Sequence, residues 1–471
     1  MKRADMRYQR SSLPVKRKKH RYVRSRLGFF GNVGEYDTNK LQKNFADTTH
    51  YPMLRSTKRA ELIQGLTFES VCDALISDGV LYALCYEHEM LFICATDLST
   101  KEKLFTVEVR NGMLLEGAKY SLVRYNVFSS VTDPIKGKYQ KRLLILPEYI
   151  SIDIDGSEGY SPVFHAGVPE AEVGCVFMSR IFCARGGKLF ASNFNDVGTY
   201  TFDTADESLE SNAWMTNTQS NTRGDGEITA LCVYDGHVVV FKKDYMMQVY
   251  NNKNPFRIVE IGDFGCISQG AVCNFDGKLA FVGENGPMLY SGGYPYSIGH
   301  ELNVSDWSGS IVTSCGKLLF IYAPKSECIY VYDAVNNCWS QRDVVGIGHM
   351  FSDGNAAYFI QDTAVYKLES GEYGAINIAT DKSSLGYNQV KHIYSVEAEI
   401  VLGEQSKVSV CILDEAGAYH SVAFVSSPGK HFINRRLYRR KMKYVQLVFI
   451  GEGDVMIGDV AITFRTEEGS V

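Results

Sequence analysis

The sequence predicts an all-β chain whose larger part is a β-propeller of about seven blades. Three observations carry this. Glycine turns, several of them Asp-Gly, separate runs of Val, Tyr, Phe and Leu; the turns recur about every 40 residues; and the runs are period-two or wholly apolar, with almost no helical rhythm. Six or eight blades fit the same spacing less well. An extended basic N-terminal arm and a small C-terminal β-sandwich-like domain complete the predicted architecture, with boundaries at 1–66, 67–384 and 385–471.

The repeating unit is plainest in LCVYDGHVVVFKKDYMMQVY, residues 231–250. A two-residue hairpin loop needs positive φ at its central positions, which Asp235 and Gly236 tolerate, so the flanking runs read as antiparallel neighbours. Tyr245–Tyr250 follows as a third strand and Phe256–Ile261 as a fourth. The same chemistry recurs at Asp78-Gly79, Gly186-Gly187, Asp276-Gly277, Cys315-Gly316 and Asp353-Gly354. From Gly187 onward the turn glycines fall at 187, 236, 277, 316 and 354, giving intervals of 49, 41, 39 and 38. Between Gly79 and Gly187, the stretches 120–130 and 141–153 with a hairpin at 133–138 supply a further blade. A circular array buries both faces of each sheet and leaves only short edges.

After about residue 385 the strands lengthen and the loops widen, ending in a hairpin over Gly451–Gly453. This reads as a separate sandwich or jelly-roll-like domain, the alternative being strands that close the ring.

Charge divides the chain. Residues 1–26 hold eleven Lys and Arg against Asp5, a charge of +10, so the net −5 of the whole leaves −15 for the remainder. The arm cations Lys16, Arg17, Lys18, Lys19, Arg21, Arg24 and Arg26 are candidate partner-binding residues. Pro14 and the lack of an apolar stripe argue against an amphipathic helix. The arm therefore reads as an extended segment ordered by an acidic partner, with nucleic-acid binding second and nuclear import third. A second patch, Arg435, Arg436, Arg439, Arg440 and Lys441, falls on a predicted strand, where it either binds a partner or blocks strand addition. No apolar run is long enough to span a membrane, and no apolar segment follows the basic start as in a secretory signal. Twelve cysteines without C-x-x-C spacing read as buried reduced thiols of a protein made in a cytosol.

Catalytic signals are weak, and the expectation is of no enzyme, no cofactor and no metal. The histidines form no H-E-x-x-H. Asp153 and Asp155 start like a calcium loop but lack the rest of its ligands, and D-x-D-G is good turn chemistry. Sialidase-type turns are missing, and three tryptophans make a thin sugar platform. The segment IYVYDAVNNCWSQRD resembles one kelch blade, with Tyr332 and Trp339 expected to anchor a blade interface.

Three segments resemble the β-propeller structural proteins of tailed bacteriophages, the head-to-tail stabilisation or tail tubular (nozzle) group. NFADTTHYPMLRSTKR (44–59) is similar to that family's N-terminal stretch around its Tyr-Pro-x-Leu element. The run from GEITALCVYDGHVVVFKK to DGKLAFVGENGPMLYSGG resembles its central blades, and INRRLYRRKMKYVQLVFIGEGDVMIGDVAITF its closing β-domain. The resemblance implies a non-enzymatic virion component, assembled in the bacterial cytoplasm as a ring, with six-fold order expected. Its implied partners are other tail or neck subunits and the DNA of the conduit. An intracellular kelch-like adaptor is the alternative, and a glycan-binding or glycan-cleaving tail-tip propeller the third reading.

Overall fold

The structure, a computed structural model, describes residues 20–24, 45–47, 54–68, 70–114, 118–129, 138–156, 159–202, 212–218, 226–251, 253–300, 302, 304–335, 337–380, 384–385 and 389–466. Seven four-stranded antiparallel sheets cover 71–111, 121–164, 173–217, 228–262, 272–297, 311–342, and 347–367 together with Glu61–Thr67. The first strand of each sheet packs beside the first strand of the next, and Ile347–Ser352 of the seventh packs beside Val71–Ser77 of the first. The ring therefore closes at seven blades.

An apolar layer fills every gap between neighbouring blades. Leu84 and Ile93 meet Leu143 and Ile152; Phe182 and Leu189 meet Leu231 and Met247; Ile360 and Val365 of the last blade meet Leu81 and Cys85 of the first. Each middle strand is buried on both faces, which is why Val238–Phe241 reads as an unbroken apolar run.

Closure uses the N-terminal side of the chain. Glu61–Thr67 is the outer strand of the seventh blade, pairing with Ala364–Lys367, and Arg59 exchanges backbone bonds of 2.9 Å with Glu372 and Gly371. The expected lead-in 1–66 thus ends earlier than predicted, because half-exposed ELIQGLT carries little apolar signal until it has a hairpin to join.

The repeat needs three corrections. In the third blade the inner hairpin turns at Met178 and Ser179, at φ 49° and 56°, while Gly186-Gly187 is the next hairpin along, between Arg185 and Lys188. The interval of 49 therefore joined unlike turns. In the sixth blade the loop is Gly316-Lys317, since Cys315 pairs with Leu318. In the seventh, Ser352 pairs with Ala357, so Asp353 and Gly354 open a four-residue loop in which Asp353 Oδ1 accepts the amides of Asn355 and Ala356 at 2.8 and 2.6 Å. Asp78-Gly79, Asp235-Gly236 and Asp276-Gly277 are two-residue loops with positive φ at both residues. Of the second-blade hairpin, 133–137 lies outside the described residues.

A second unit contains the chain from Tyr373 onward, a boundary twelve residues before the expected one (385 − 373). One sheet orders Ala375–Ala379, Gln446–Glu452, Lys407–Leu413 and Tyr419–Val425. The other orders Phe45–Asp47, Leu54–Ser56, Val455–Thr466, Lys391–Leu402 and Gly429–Met442, with His20–Arg24 also on Val455–Thr466. Buried Ile378, Val410 and Phe449 of the first and Val396, Ile400 and Ile457 of the second supply the core. The predicted hairpin at Gly451–Gly453 is instead a corner between the two sheets. Gly453, at φ 97°, turns where a β-carbon would strike Ser406, and its carbonyl accepts the Ser56 hydroxyl at 2.9 Å.

The arm is likewise not free along its whole length, because His20–Arg24 pairs in register with Phe464–Val460. Lys16, Arg17, Lys18, Lys19 and Arg26 lie outside the described residues.

Gly277 sits at φ 71° with open space around an added β-carbon, so Gly277→Val tests turn strain alone. It is expected to cost about 1–3 kcal/mol, read by denaturant unfolding; a neutral result contradicts the turn. Deleting 1–26 is expected to remove hydrogen-exchange protection from Val460–Phe464 while the blades keep theirs. Protection lost across the blades would show that the arm supports the ring.

Candidate functional site

The turn residues singled out by sequence serve the ring itself. Asp78 Oδ2 accepts Lys141 Nζ at 2.8 Å and Arg124 Nη2 at 3.2 Å, both from the second blade. The Lys141 hydrogen bond holds its carboxyl below the usual range. Lys317 pairs with Asp276 across blades six and five, and Tyr234 Oη donates to the Gly277 carbonyl at 3.0 Å. These turns fasten blade one to two, four to five and five to six.

Chemistry-bearing groups in the blades are similarly engaged. Ser151 Oγ lies 2.7 Å from His165 Nε2, the spacing of a nucleophile and its base. Ser151 is fully buried, however, so substrate has no route to it. Asp153 Oδ1 accepts the Asp155 amide at 3.0 Å, and Asp155 Oδ2 the Lys141 amide at 3.3 Å, which makes the D-x-D-G stretch a turn. Burial pushes the Cys183, Cys266 and Cys273 thiols up to about 12, so they are unreactive at neutral pH. Tyr332 and Trp339 are buried with ring centroids 5.1 Å apart, and Trp339 Nε1 donates to the Ile298 carbonyl of the preceding segment at 2.7 Å. Among the described residues no group of three or more His, Cys, Asp or Glu is set to hold a metal ion.

Clefts open along the ring. One of ≈ 310 Å³ is lined by Lys243, Asp263, Glu284 and Trp307's neighbour Gly286, with Lys243 and Glu284 paired at 2.6 Å. A larger one of ≈ 850 Å³ holds Glu170, Glu172, Arg185 and Glu227. Arg185 pairs with Glu170 and stands 4.0 Å from Glu172.

The sandwich unit differs, because there basic residues from separate strands share rows of one sheet. Antiparallel register sets Lys441, His392 and Arg465 directly opposite one another across three strands. The next outward row is Arg436, Ser395, Thr463 and Arg21, across four strands. Buried Ile393, Phe464 and Val396 face the other way, which fixes Lys441, His392, Arg465, Arg436, Ser395 and Thr463 on the outer face. Arg436 and Lys441 are exposed. Arg465 holds its guanidinium 5.2 Å from the Tyr394 ring centroid, and its Nε has no hydrogen-bond partner. Between the rows, Leu437, Tyr438 and Arg439 oppose the single residue Tyr394, a bulge in the basic strand.

The arm and the C-terminal patch, two separate features in sequence, are therefore brought into one sheet. Arg21 and Arg24 lie on one strand, and Arg435, Arg436, Arg439, Arg440 and Lys441 on another. Sequence reasoning missed His392 and Arg465, which stand far in sequence from the basic cluster 435–441. Only the register reveals them.

No protein-family model and no curated protein matches the chain. Solved structures similar to it include the hydrazine synthase of Kuenenia stuttgartiensis, at 10% identity over 65% of this chain and 99% of that one, with a TM-score of 0.39. The Dos1 propeller follows at 11% identity, 68% and 89% coverage and a TM-score of 0.36. An exo-beta-1,3-galactanase from Phanerochaete chrysosporium has 8% identity, 86% and 100% coverage and a TM-score of 0.29.

His165 supplies a pH test. Burial lowers its pKa, so below the ordinary value of about 6.5 the unfolded chain takes a proton that the folded one resists. Stability contributed by this site is complete above that pH and is lost as pH falls. The melting temperature is expected to drop between about pH 7 and 5.5, and less steeply in His165→Gln. An unchanged slope in that variant would refute the assignment.

Proposed function

We propose that the chain is a non-enzymatic structural subunit of a tailed-bacteriophage virion, of the tail nozzle or head-to-tail stabilisation type. It works through protein–protein contacts around the DNA conduit as a six-fold homo-oligomeric ring, assembled in the host cytoplasm. The observation that carries this reading is the pairing of two distant segments. Leu54–Ser56 belongs to the N-terminal stretch that resembles the phage family, and Val455–Thr466 to the terminal stretch that does; they are neighbours in one sheet. Segments 399 residues apart are also locked by Arg55 Nη2 on Asp454 Oδ2 at 3.1 Å. The two stretches that carry the resemblance at the ends of the chain thus meet in one sheet. A rigid closed ring whose turn charges are paired between blades also suits a scaffold better than a catalyst.

The intracellular adaptor reading is supported by the kelch-like packing of Tyr332 against Trp339. Mass spectrometry of density-gradient-purified phage particles from the producing culture distinguishes the two. A fixed stoichiometry of about a dozen copies or fewer per particle, as a closed ring requires, is expected. Absence from particles would overturn the virion reading in favour of the adaptor.

A further inference from the structure

We infer that the sandwich unit exchanges its first strand between copies: His20–Arg24 of one copy pairs with Val460–Phe464 of a second copy, as it pairs with its own in the single chain. The inference rests on the homo-oligomer of the proposed function, not on its virion setting.

The acceptor is an edge that has to be covered. Val455–Thr466 pairs along one side with Lys391–Leu402, so its other side takes both remaining partners. Leu54 and Arg55 cover Ile457 and Met456 at one end of that side, and His20–Arg24 covers Val460–Phe464 at the other. Val460, Ala461, Ile462 and Phe464 are all buried. Stripped of its neighbour, this segment would present unpaired amides and carbonyls along an apolar strand, the kind of edge that captures another chain.

The two covering strands are held differently. Leu54–Ser56 is fixed by side chains as well as by its ladder: Leu54 is buried, Arg55 Nη2 donates to Asp454 Oδ2 at 3.1 Å, and Ser56 Oγ donates to the Gly453 carbonyl at 2.9 Å. Soon afterwards the chain is committed to the seventh blade at Glu61–Thr67. His20–Arg24 has a single sheet partner. Its ladder is made of main-chain bonds, which a second copy supplies identically.

Twenty residues separate Arg24 from Phe45 (44 − 24). A chain of that length spans at most about 70 Å, several times the radius of gyration of about 14 Å expected of a unit this size. The tether is therefore long enough to reach an adjoining copy. Exchange costs little, because the bonds given up are the bonds regained. In a ring each copy gives one strand and takes one, which leaves no acceptor edge open. Charge favours the same arrangement: residues 1–26 carry +10 (11 − 1) and the rest of each chain −15 (−5 − 10), so an arm that crosses over meets an acidic body.

The test places cysteines at Arg21 and Thr463, which stand opposite each other in the register. Directly opposed residues of an antiparallel pair hold their Cα atoms about 4.5–5.5 Å apart, within the roughly 4.4–6.8 Å that a disulfide spans. Full chains with Arg21→Cys are co-expressed with full chains with Thr463→Cys, mildly oxidised and run on a denaturing, non-reducing gel. Covalent dimers are expected from the mixture and from neither variant alone, which controls for the native thiols. A chain carrying both substitutions is expected to link into ladders of two or more copies. As a check without cysteine variants, deleting 1–26 is expected to lower the mass of the oligomer in light scattering at equal concentration. The inference is overturned, with the homo-oligomer intact, by an oligomer whose doubly substituted chain closes its disulfide internally, whose mixture gives no covalent dimer, or whose mass survives the deletion. An unaltered chain that is monomeric in light scattering overturns the homo-oligomer and the inference together.

Discussion

Ring closure is the constraint on which the propeller depends. Each blade is a thin sheet that cannot bury its two faces alone, and the apolar layers between blades exist only if the seventh meets the first. That meeting is made by Ile360 and Val365 against Leu81 and Cys85. It is fastened by Glu61–Thr67, a strand taken from before the first blade and paired into the last. A blade built from both ends of the ring ties its opening shut through backbone hydrogen bonds, so the ring cannot open without breaking a sheet. The pair of buried Arg342 with partly exposed Glu369, at 2.6 Å, links blades six and seven in the same region.

The N-terminal stretch consequently serves two structures in succession. Leu54–Ser56 completes the sandwich sheet on Val455–Thr466, and five residues later Glu61–Thr67 completes the seventh blade (61 − 56). Neither assignment is suggested by composition. Both strands take their stability from partners several hundred residues away, so a local reading finds only a polar lead-in. His20–Arg24 shows the same effect more strongly, since HRYVR has the composition of a solvated tail and becomes a strand because Val460–Phe464 offers it a free edge.

What was legible in the sequence follows the same division. Asp235-Gly236 and Asp276-Gly277 announced their hairpins because positive φ at both positions is a local demand that residue type reveals. Met178-Ser179 makes the same turn with residues that do not advertise it, so the third blade was read one hairpin late. The unbroken apolar strands gave away the blades, because burial on both faces leaves a compositional mark. The sheet corner at Gly453 leaves none, and its glycine looked like any hairpin glycine. The candidate site was legible as charge but not as place: Arg435 to Lys441 stood out, while His392 and Arg465 joined them only through register.

The two units dispose of charge in opposite ways, and this separates scaffold from surface. In the propeller, cations are consumed by the acids of neighbouring blades: Asp78 takes two, Asp276 takes Lys317, Glu369 takes Arg342. Such pairs hold the ring and leave little for a ligand. On the sandwich face, Lys441, His392 and Arg465 share one row across three strands, and each is fixed by a strand whose other face is buried core. The register of the sheet is held by its core side, because a shift of one residue would turn Ile393 and Phe464 outward.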